Sequence, residues 1–329
     1  MKNYILVDFM NMAHRCKNTV MHDDIDMKIG LAMHTIFNSI KKVDNKFKAD
    51  HVVICCEGNS WRKKAYTGYK KNRVLKELQK PLDEQEDNKL FLEAISEMEE
   101  FFATRTRATV LKAPAAEGDD MIALFIDSHP DDHHTIISSD TDFIQLLAKN
   151  VDIYNGMDDV LITINGIFDS DGKRVIDHKT GLPKDIPDPE YALFLKCIRG
   201  DKSDNIMSAY PGAREKGTKN KIGIKDAYED RHAKGFNWNN FMRTTWIDEE
   251  GNEKVVLERY EFNKHLIDLR KQPQNIISEC EEHMANSLAK EPIRNVGCNL
   301  LKFCEKWDLK QISKFPNAYA DILNRGYML

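Results

Sequence analysis

The sequence predicts an α/β fold: a mostly parallel central sheet flanked by helices, with a smaller helical C-terminal subdomain. Three observations carry this reading. Short apolar runs alternate with helical patterns through the first half, acidic residues stand at or just past the ends of those runs, and the patterns beyond about residue 187 are helical. In an open α/β sheet the carboxyl ends of parallel strands meet in one crevice, so acids remote in sequence come together in space.

Taken in order, Tyr4 to Val7 reads as a buried strand, and Met33, Ile36, Phe37, Ile40 and Val43 recur at helical spacing. His51 to Cys56 and Thr106 to Lys112 read as further strands, separated by an acidic helix from Asp83 to Glu100. Met121 to Ser128 is a helix, His134 to Ser138 a strand, Thr141 to Ala148 a short helix and Val151 to Tyr154 a strand. Such alternation implies right-handed crossovers. Past Gly156 the pattern changes to short strands, Val160 to Ile164 and Ile167 to Ile176, the latter turning at Asp171-Gly172. Asp188-Pro189-Glu190 opens a helix, with Asp as N-cap and Pro as first helical residue, that ends near Arg199. Helical patterns follow over Val255 to Leu269, Ile276 to Leu288 and Val296 to Trp307. The expected division is therefore 1–186 and 187–329, since 329 residues exceed the usual single core.

The chain is 41% hydrophobic and 31% charged, as in globular domains, and no apolar run is long enough to span a bilayer. Without a signal-peptide pattern, the expectation is a cytoplasmic protein, and a monomer that does not engage membranes. The seven cysteines form no C-x-x-C pair, which argues for reduced thiols rather than disulfides or a zinc ribbon.

Nine carboxylates stand out: Asp8, Glu57, Glu117, Asp119, Asp120, Asp140, Asp142, Asp201 and Asp204. Like charges packed together raise one another's pKa and destabilise the fold unless a divalent ion becomes their partner. Hard oxygen donors point to Mg2+, with Mn2+ as a substitute; zinc would want His or thiolate at tight spacing. A lone Asp after a strand reads as a helix N-cap; the coincidence of all the clusters outweighs that. His129, His133 and His134 read as a polar loop before a strand. The nine acids exceed the net charge of −5, so overall acidity does not exclude a polyanionic substrate.

Between Trp61 and Lys80, the basic residues Arg62, Lys63, Lys64, Lys70, Lys71, Arg73, Lys76 and Lys80 interleave with Trp61, Tyr66 and Tyr69. Cations that hold phosphates beside rings that stack on unpaired bases suit a single-stranded nucleic-acid end.

Val7-Asp8-Phe9-Met10-Asn11, Glu117-Gly118-Asp119-Asp120, Ser139-Asp140-Thr141-Asp142-Phe143 and Gly200-Asp201-Lys202-Ser203-Asp204-Asn205 occur in the order seen in one family. The chain resembles the 5′ nucleases of the flap-endonuclease superfamily, and most closely the ribonuclease H group of T-even-like phages. That likeness implies a PIN-like nuclease domain over 1–186, with an arch at about 58–100, and a DNA-binding domain over 187–329. It implies that Asp8, Glu57, Glu117, Asp119 and Asp120 surround a first metal ion, with Asp140 shared or nearby, while Asp142, Asp201 and Asp204 serve a second, some of them through water. It also implies that Tyr69 stacks on the terminal base, that Lys70 and Arg62 stabilise the scissile phosphate, and that Lys63, Lys64, Lys71 and Arg73 hold nucleic acid. Gly223 and Lys225 would contact the duplex backbone. Glu57 stands where the family has Asp, and a basic insertion stretches the segment from Pro211-Gly212 to Gly223.

The implied activity is two-metal hydrolysis of 5′ ends and flaps on DNA and RNA-DNA duplexes, removing primers in phage lagging-strand replication in the host cytoplasm. A single-strand-binding protein and a sliding clamp are the partners implied. One alternative is a nucleic-acid-binding relative that has lost catalysis. A phosphatase or nucleotide-binding enzyme is disfavoured, because Met10 stands where a second Asp is needed and no G-x-x-x-x-G-K-[ST] loop occurs.

Overall fold

The computed structural model describes residues 1–19, 24–248 and 250–328. Strand β1 (Asn3–Asp8) runs into α1 (Phe9–Thr19), followed by α2 (Ile25–Phe47) and β2 (His51–Cys55). Helices α3 (Arg62–Ala65), α4 (Lys71–Leu78) and α5 (Leu82–Arg105) lead to β3 (Thr109–Leu111), α6 (Gly118–Ser128) and β4 (His133–Ile137). A 3-10 turn over Thr141–Leu146 precedes β5 (Val151–Asn155), β6 (Val160–Thr163) and β7 (Gly166–Phe168). Next come α7 (Pro189–Arg199), α8 (Ile224–Glu229), α9 (Phe236–Met242), β8 (Thr245–Ile247), β9 (Glu253–Val255) and α10 (Val256–Ile267). Helices α11 (Gln274–Leu288), α12 (Val296–Lys306), α13 (Lys310–Ser313) and α14 (Asn317–Leu323) follow. None of the described helices is long and apolar enough to cross a membrane.

The seven-stranded sheet has the order β3-β2-β1-β4-β5-β6-β7. Its first five strands are parallel and β5-β6-β7 is an antiparallel meander. Tyr4 to Val7 are all buried, as expected for a strand covered on both faces. Val7 pairs with Ile54 on one side and Ile137 on the other, so the carboxyl ends of β1, β2 and β4 are level. The chain winds outward from β1 to β3 on one side and from β4 to β5 on the other, which puts the topological switch between β1 and β4.

Four elements differ from expectation, three of them for local reasons. The strand expected over Thr106 to Lys112 is only three residues long, because Thr106 closes α5 by donating its hydroxyl to Phe102 O at 2.8 Å. The segment after Asp140 is a 3-10 turn, and Ala148 and Val151 then exchange backbone bonds in a tight reversal. The arch region holds two short helices, broken where Lys70 takes a left-handed φ of 55°. His133 and His134 lie within β4, and not in a loop before it.

The chain folds as two compact units: Met1–Trp61, Lys80–Pro187 and Pro273–Leu329 form the first, and Arg62–Gln79 with Asp188–Gln272 the second. The division therefore departs from a single C-terminal region starting at 187, because the last helices return to the sheet unit. Phe303 of α12 stacks on Phe101 of α5 at 4.3 Å, and Tyr319 of α14 meets the edge of Phe37 in α2 at 6.3 Å. Trp307 packs partly buried against the same core, whereas Phe315 is exposed. The second unit has its own core, including Phe194, Ile198, Ile224, Phe241 and Tyr260.

At the amino end of the sheet, His51 and His134 are buried. His51 Nδ1 lies 2.8 Å from Arg325 O and its Nε2 2.8 Å from Thr109 Oγ1, while His134 Nε2 lies 2.9 Å from His129 O. Burial holds both imidazoles down to about 4, below their usual 6.5. Folded, they resist protons that the unfolded chain accepts, so the stability they supply above pH 6.5 is lost as pH falls toward 4. The expected loss in urea unfolding is on the order of 3 kcal/mol per histidine, and His51→Gln should flatten the dependence in that window; an unchanged slope would contradict it.

Candidate metal centre

Asp8 closes β1 at the switch point and is only 3% exposed. Ser138, just past β4, donates its hydroxyl to Asp8 Oδ2 at 2.7 Å, and the Asn11 N–H makes a longer bond of 3.4 Å to Oδ1. Asn11 Oδ1 in turn accepts the N–H and hydroxyl of Ser139, at 3.2 and 2.8 Å. The two strand ends are thus fastened together by side chains. The Asp140 backbone N–H donates to Ser138 Oγ at 3.0 Å, and the Asp140 side chain caps the following turn by accepting Asp142 N–H at 2.9 Å.

Glu57 follows β2 in a loop laid against residues 113–116. Gly58 N–H donates to Ala116 O at 2.9 Å, Asn59 N–H to Pro114 O at 2.8 Å, and Trp61 N–H to Ala115 O at 2.8 Å. A Cβ on Gly58 would stand 2.0 Å from Ala113 O, so only glycine allows this approach. Glu57 Oε2 faces Gly118 N–H at 3.4 Å. Glu117 is the N-cap of α6, and Asp119 and Asp120 occupy its first turn, where the helix dipole favours negative charge. Asp120 is fully buried, and its Oδ2 accepts both Glu117 N–H (3.1 Å) and Trp61 Nε1–H (3.2 Å).

The electrostatics show which acids are neighbours. Burial pushes Asp8 up to about 7 against the opposing Ser138 bond, and the charges of Glu57 and Asp140 add to the rise. Asp119, although partly open at its surface, is held well above the usual carboxylate range, by burial first and then by Asp8, Glu57, Asp140 and Glu117. The sheet has therefore gathered at least five carboxylates within range of one another. Among the described residues, no three His, Cys, Asp or Glu side chains already converge as a finished coordination sphere. The donors are hard oxygens, and a divalent cation such as Mg2+ or Mn2+ fits their charge and chemistry.

Asp201 and Asp204 belong to the second unit and are held differently. Lys196 Nζ lies 2.8 Å from Asp201 Oδ2, and Ser203 N–H and Oγ–H each donate to Oδ1 at 2.7 Å. Burial opposes ionisation of Asp201, but Lys196 and Ser203 hold it down to about 2. Asp204 is ion-paired with Arg73 and accepts Tyr69 O–H at 2.9 Å. Tyr69, expected to stack on a base, is buried in the core of its unit. Lys70 N–H donates to Asp204 O at 2.9 Å, and its ammonium lies 5.1 Å from the centre of the Tyr69 ring. Arg62, expected to meet a phosphate, is instead 2% exposed and donates Nε–H to Leu266 O at 2.6 Å, fixing the start of α3 to the end of α10. Lys63, Lys64, Lys71, Arg73 and Lys225 are exposed. Gly223 N–H, expected to contact a phosphate, already donates to Asp226 Oδ2 at 2.7 Å.

Sequence reasoning did not single out Ser138 or Lys196, quoted Asn11 only as the end of a motif, and placed Trp61 among the rings of the basic segment, whereas it donates to Asp120. Asn11 and Ser138 flank the acidic motifs, which is the only signal they carry; nothing in spacing marks the pairing of Lys196 with Asp201.

Fold and site together define an open α/β protein with a buried carboxylate cluster at its switch point. Residues 3–174 match the family model described as the 5′-3′ exonuclease, N-terminal resolvase-like domain, and the chain belongs to that family. It is similar to a 5′-3′ exonuclease of Aquifex aeolicus, 29% identical over 213 residues, covering 64% of this chain and 63% of the relative. It is also similar to the flap endonuclease Xni of Shewanella loihica, 26% identical over 168 residues, covering 50% and 59%. The chain thus spans about three fifths of the length of these curated relatives. In fold it matches the 5′-exonuclease of phage T5 solved with divalent zinc ions, with a TM-score of 0.60, 20% identity and coverage of 87% and 99%.

The raised Asp8 carboxyl sets a test. A carboxyl whose folded pKa lies above its usual 3.8 loses stability as pH rises from that value through about 7. In EDTA at pH 8, Asp8→Asn should therefore melt several degrees higher than the parent, and Mg2+ or Mn2+ should raise the Tm of the parent more than that of the variant. A lower Tm in EDTA with an undiminished metal response would contradict the assignment.

Proposed function

We propose that this chain is a divalent-metal-dependent 5′ to 3′ exonuclease with flap endonuclease activity. It acts on the 5′ ends of DNA and RNA-DNA duplexes, and the reading closest to its motifs is a ribonuclease H of T-even-like phages that removes primers during lagging-strand replication. The observation that carries this is the burial of mutually repelling carboxylates at the carboxyl ends of β1, β2 and β4, in a chain of the 5′-3′ exonuclease family. The names of the Aquifex and Shewanella relatives support the same reaction class.

In this reading Asp8, Glu57, Glu117, Asp119 and Asp120 would hold a first ion, with Asp140 shared or nearby, and Asp142, Asp201 and Asp204 a second, some of these through water. Two bound Mg2+ ions, with Mn2+ able to substitute, supply a water of lowered pKa and stabilisation of charge on the phosphodiester. The chain's own residues do the rest. Ser138 and Asn11 keep Asp8 oriented toward the crevice. Lys70 gives charge that counts most as the phosphate becomes pentacoordinate, and Lys63, Lys64, Lys71, Arg73 and Lys225 hold backbone phosphates. Tyr69 stacks on a terminal base only after giving up its bond to Asp204, while Arg62 anchors the arch instead of meeting substrate. Products carry a 5′ phosphate, because the 3′ oxygen departs. A monomer in the cytoplasm, working beside a single-strand-binding protein and a sliding clamp, completes the proposal.

A second reading, a nucleic-acid-binding relative without catalysis, is favoured only by the ion pairs that already occupy Asp201 and Asp204. Cleavage of a 5′-flapped duplex with Mg2+ separates the two: no product at micromolar protein would sink the nuclease reading. Given cleavage, Asp140→Asn should lower turnover by about 10² or more while leaving duplex binding within a few-fold. Lys70→Ala should lower kcat by about 10² with a small change in affinity, whereas Lys63→Ala should mainly weaken binding; equal effects in both variants would contradict the division of roles.

A further inference from the structure

Beside the acidic cluster lies a crevice of about 460 Å3 that the acids alone do not explain. It is lined by Glu57, Gly58, Asn59, Lys112, Pro114 and His283. Its polar groups come from three separately anchored elements. Asn59 is on the loop held to residues 113–116 by three backbone bonds, and Lys112 follows the last residue of β3. His283 is on α11, which is tied to the 113–116 segment where Glu279 Oε1 accepts Ala115 N–H at 3.0 Å. Lys112 has one partner in Glu99 Oε1 at 2.7 Å, yet its side chain is still 48% exposed. An ammonium has three N–H donors, so that ion pair leaves donors to spare.

Glu57 lines the crevice, and its Oε2 faces Gly118 N–H at 3.4 Å, between Glu117 and Asp119. The crevice therefore adjoins the acids at Glu57. We propose that it is a backbone-phosphate subsite, in which Lys112, His283 and Asn59 hold a phosphate of the nucleic-acid strand flanking the one brought to the carboxylates. A nucleobase would find no Phe, Tyr or Trp ring among these six residues to stack on, whereas a phosphate finds a cation, an imidazole and an amide. A small-molecule carboxylate would be repelled by Glu57 next to it, but a phosphate within a strand is held there by its neighbours as well. The subsite rests on the nuclease reading and sharpens it, because it fixes the strand's register next to the acids without itself touching the reacting bond.

The test uses the full chain, a fluorescently labelled 5′-flapped duplex, and the variants Lys112→Ala, His283→Ala and their double. Binding is read by anisotropy across a salt series, and cleavage by steady-state kinetics in Mg2+. Weaker binding of the double variant by about 5-fold or more, a log-log salt slope shallower by about one, a raised KM with kcat within 2-fold, and recovery in Lys112→Arg are expected. Unchanged binding and salt slope in a double variant that melts like the parent would overturn the subsite, as would a fall in kcat at constant KM. Should Lys112→Ala unfold through loss of Glu99, His283→Ala alone carries the test with a smaller shift of the same sign. If the parent binds but does not cleave, the nuclease reading fails while the binding series still decides the subsite.

Discussion

Carboxylates that repel one another have been brought together by the parallel sheet, and the rest of the site is arranged around that constraint. Asp8 has no freedom to leave: β1 is paired on both sides, its end is level with those of β2 and β4, and Ser138 and Asn11 grip both oxygens of the carboxylate. The charges acting most strongly on Asp119 are all carboxylates. A fold that holds acids this way sacrifices stability at neutral pH, and a divalent cation converts the same repulsion into binding energy. Glycine at 58 belongs to the same constraint, because it lets the Glu57 loop lie against the segment leading to α6.

The second unit manages its acids by the opposite device. Lys196 supplies positive charge to Asp201 and Ser203 donates to it, so Asp201 stays ionised far below the pH at which Asp8 does, while Arg73 and Tyr69 hold Asp204. Acids with built-in cations bind a metal ion only in competition with those cations. On the two-ion proposal, an ion at Asp201 and Asp204 would have to displace Lys196 or Arg73, whereas among the described residues no such cation is paired with Asp8.

The sheet was legible because its strands are short apolar runs with both faces covered, and because acids mark where Asp8, Glu57 and Asp140 leave it. The arch was less legible. Its basic and aromatic spacing suggests a surface for nucleic acid, but spacing does not tell that Tyr69 and Arg62 turn inward to build the second unit's core while Lys63, Lys64 and Lys71 stay outside. A buried arginine that donates to Leu266 O leaves no trace in a local pattern, since that carbonyl lies about two hundred residues away. The return of α12 and α14 to the sheet unit was hidden for a similar reason: an apolar helix face announces that it is covered, not by what. The crevice with Lys112 and His283 combines two such distant pieces.

The central claim, that remote acids meet to hold a divalent cation, is tested most directly by locating the ion. Crystals grown without metal and soaked in Mn2+ should give an anomalous peak within coordination distance of the Asp8 carboxylate, with Asp119 and Asp140 carboxylates turned toward it. Manganese absent from this crevice at millimolar concentration, or bound only elsewhere on the molecule, would contradict the account.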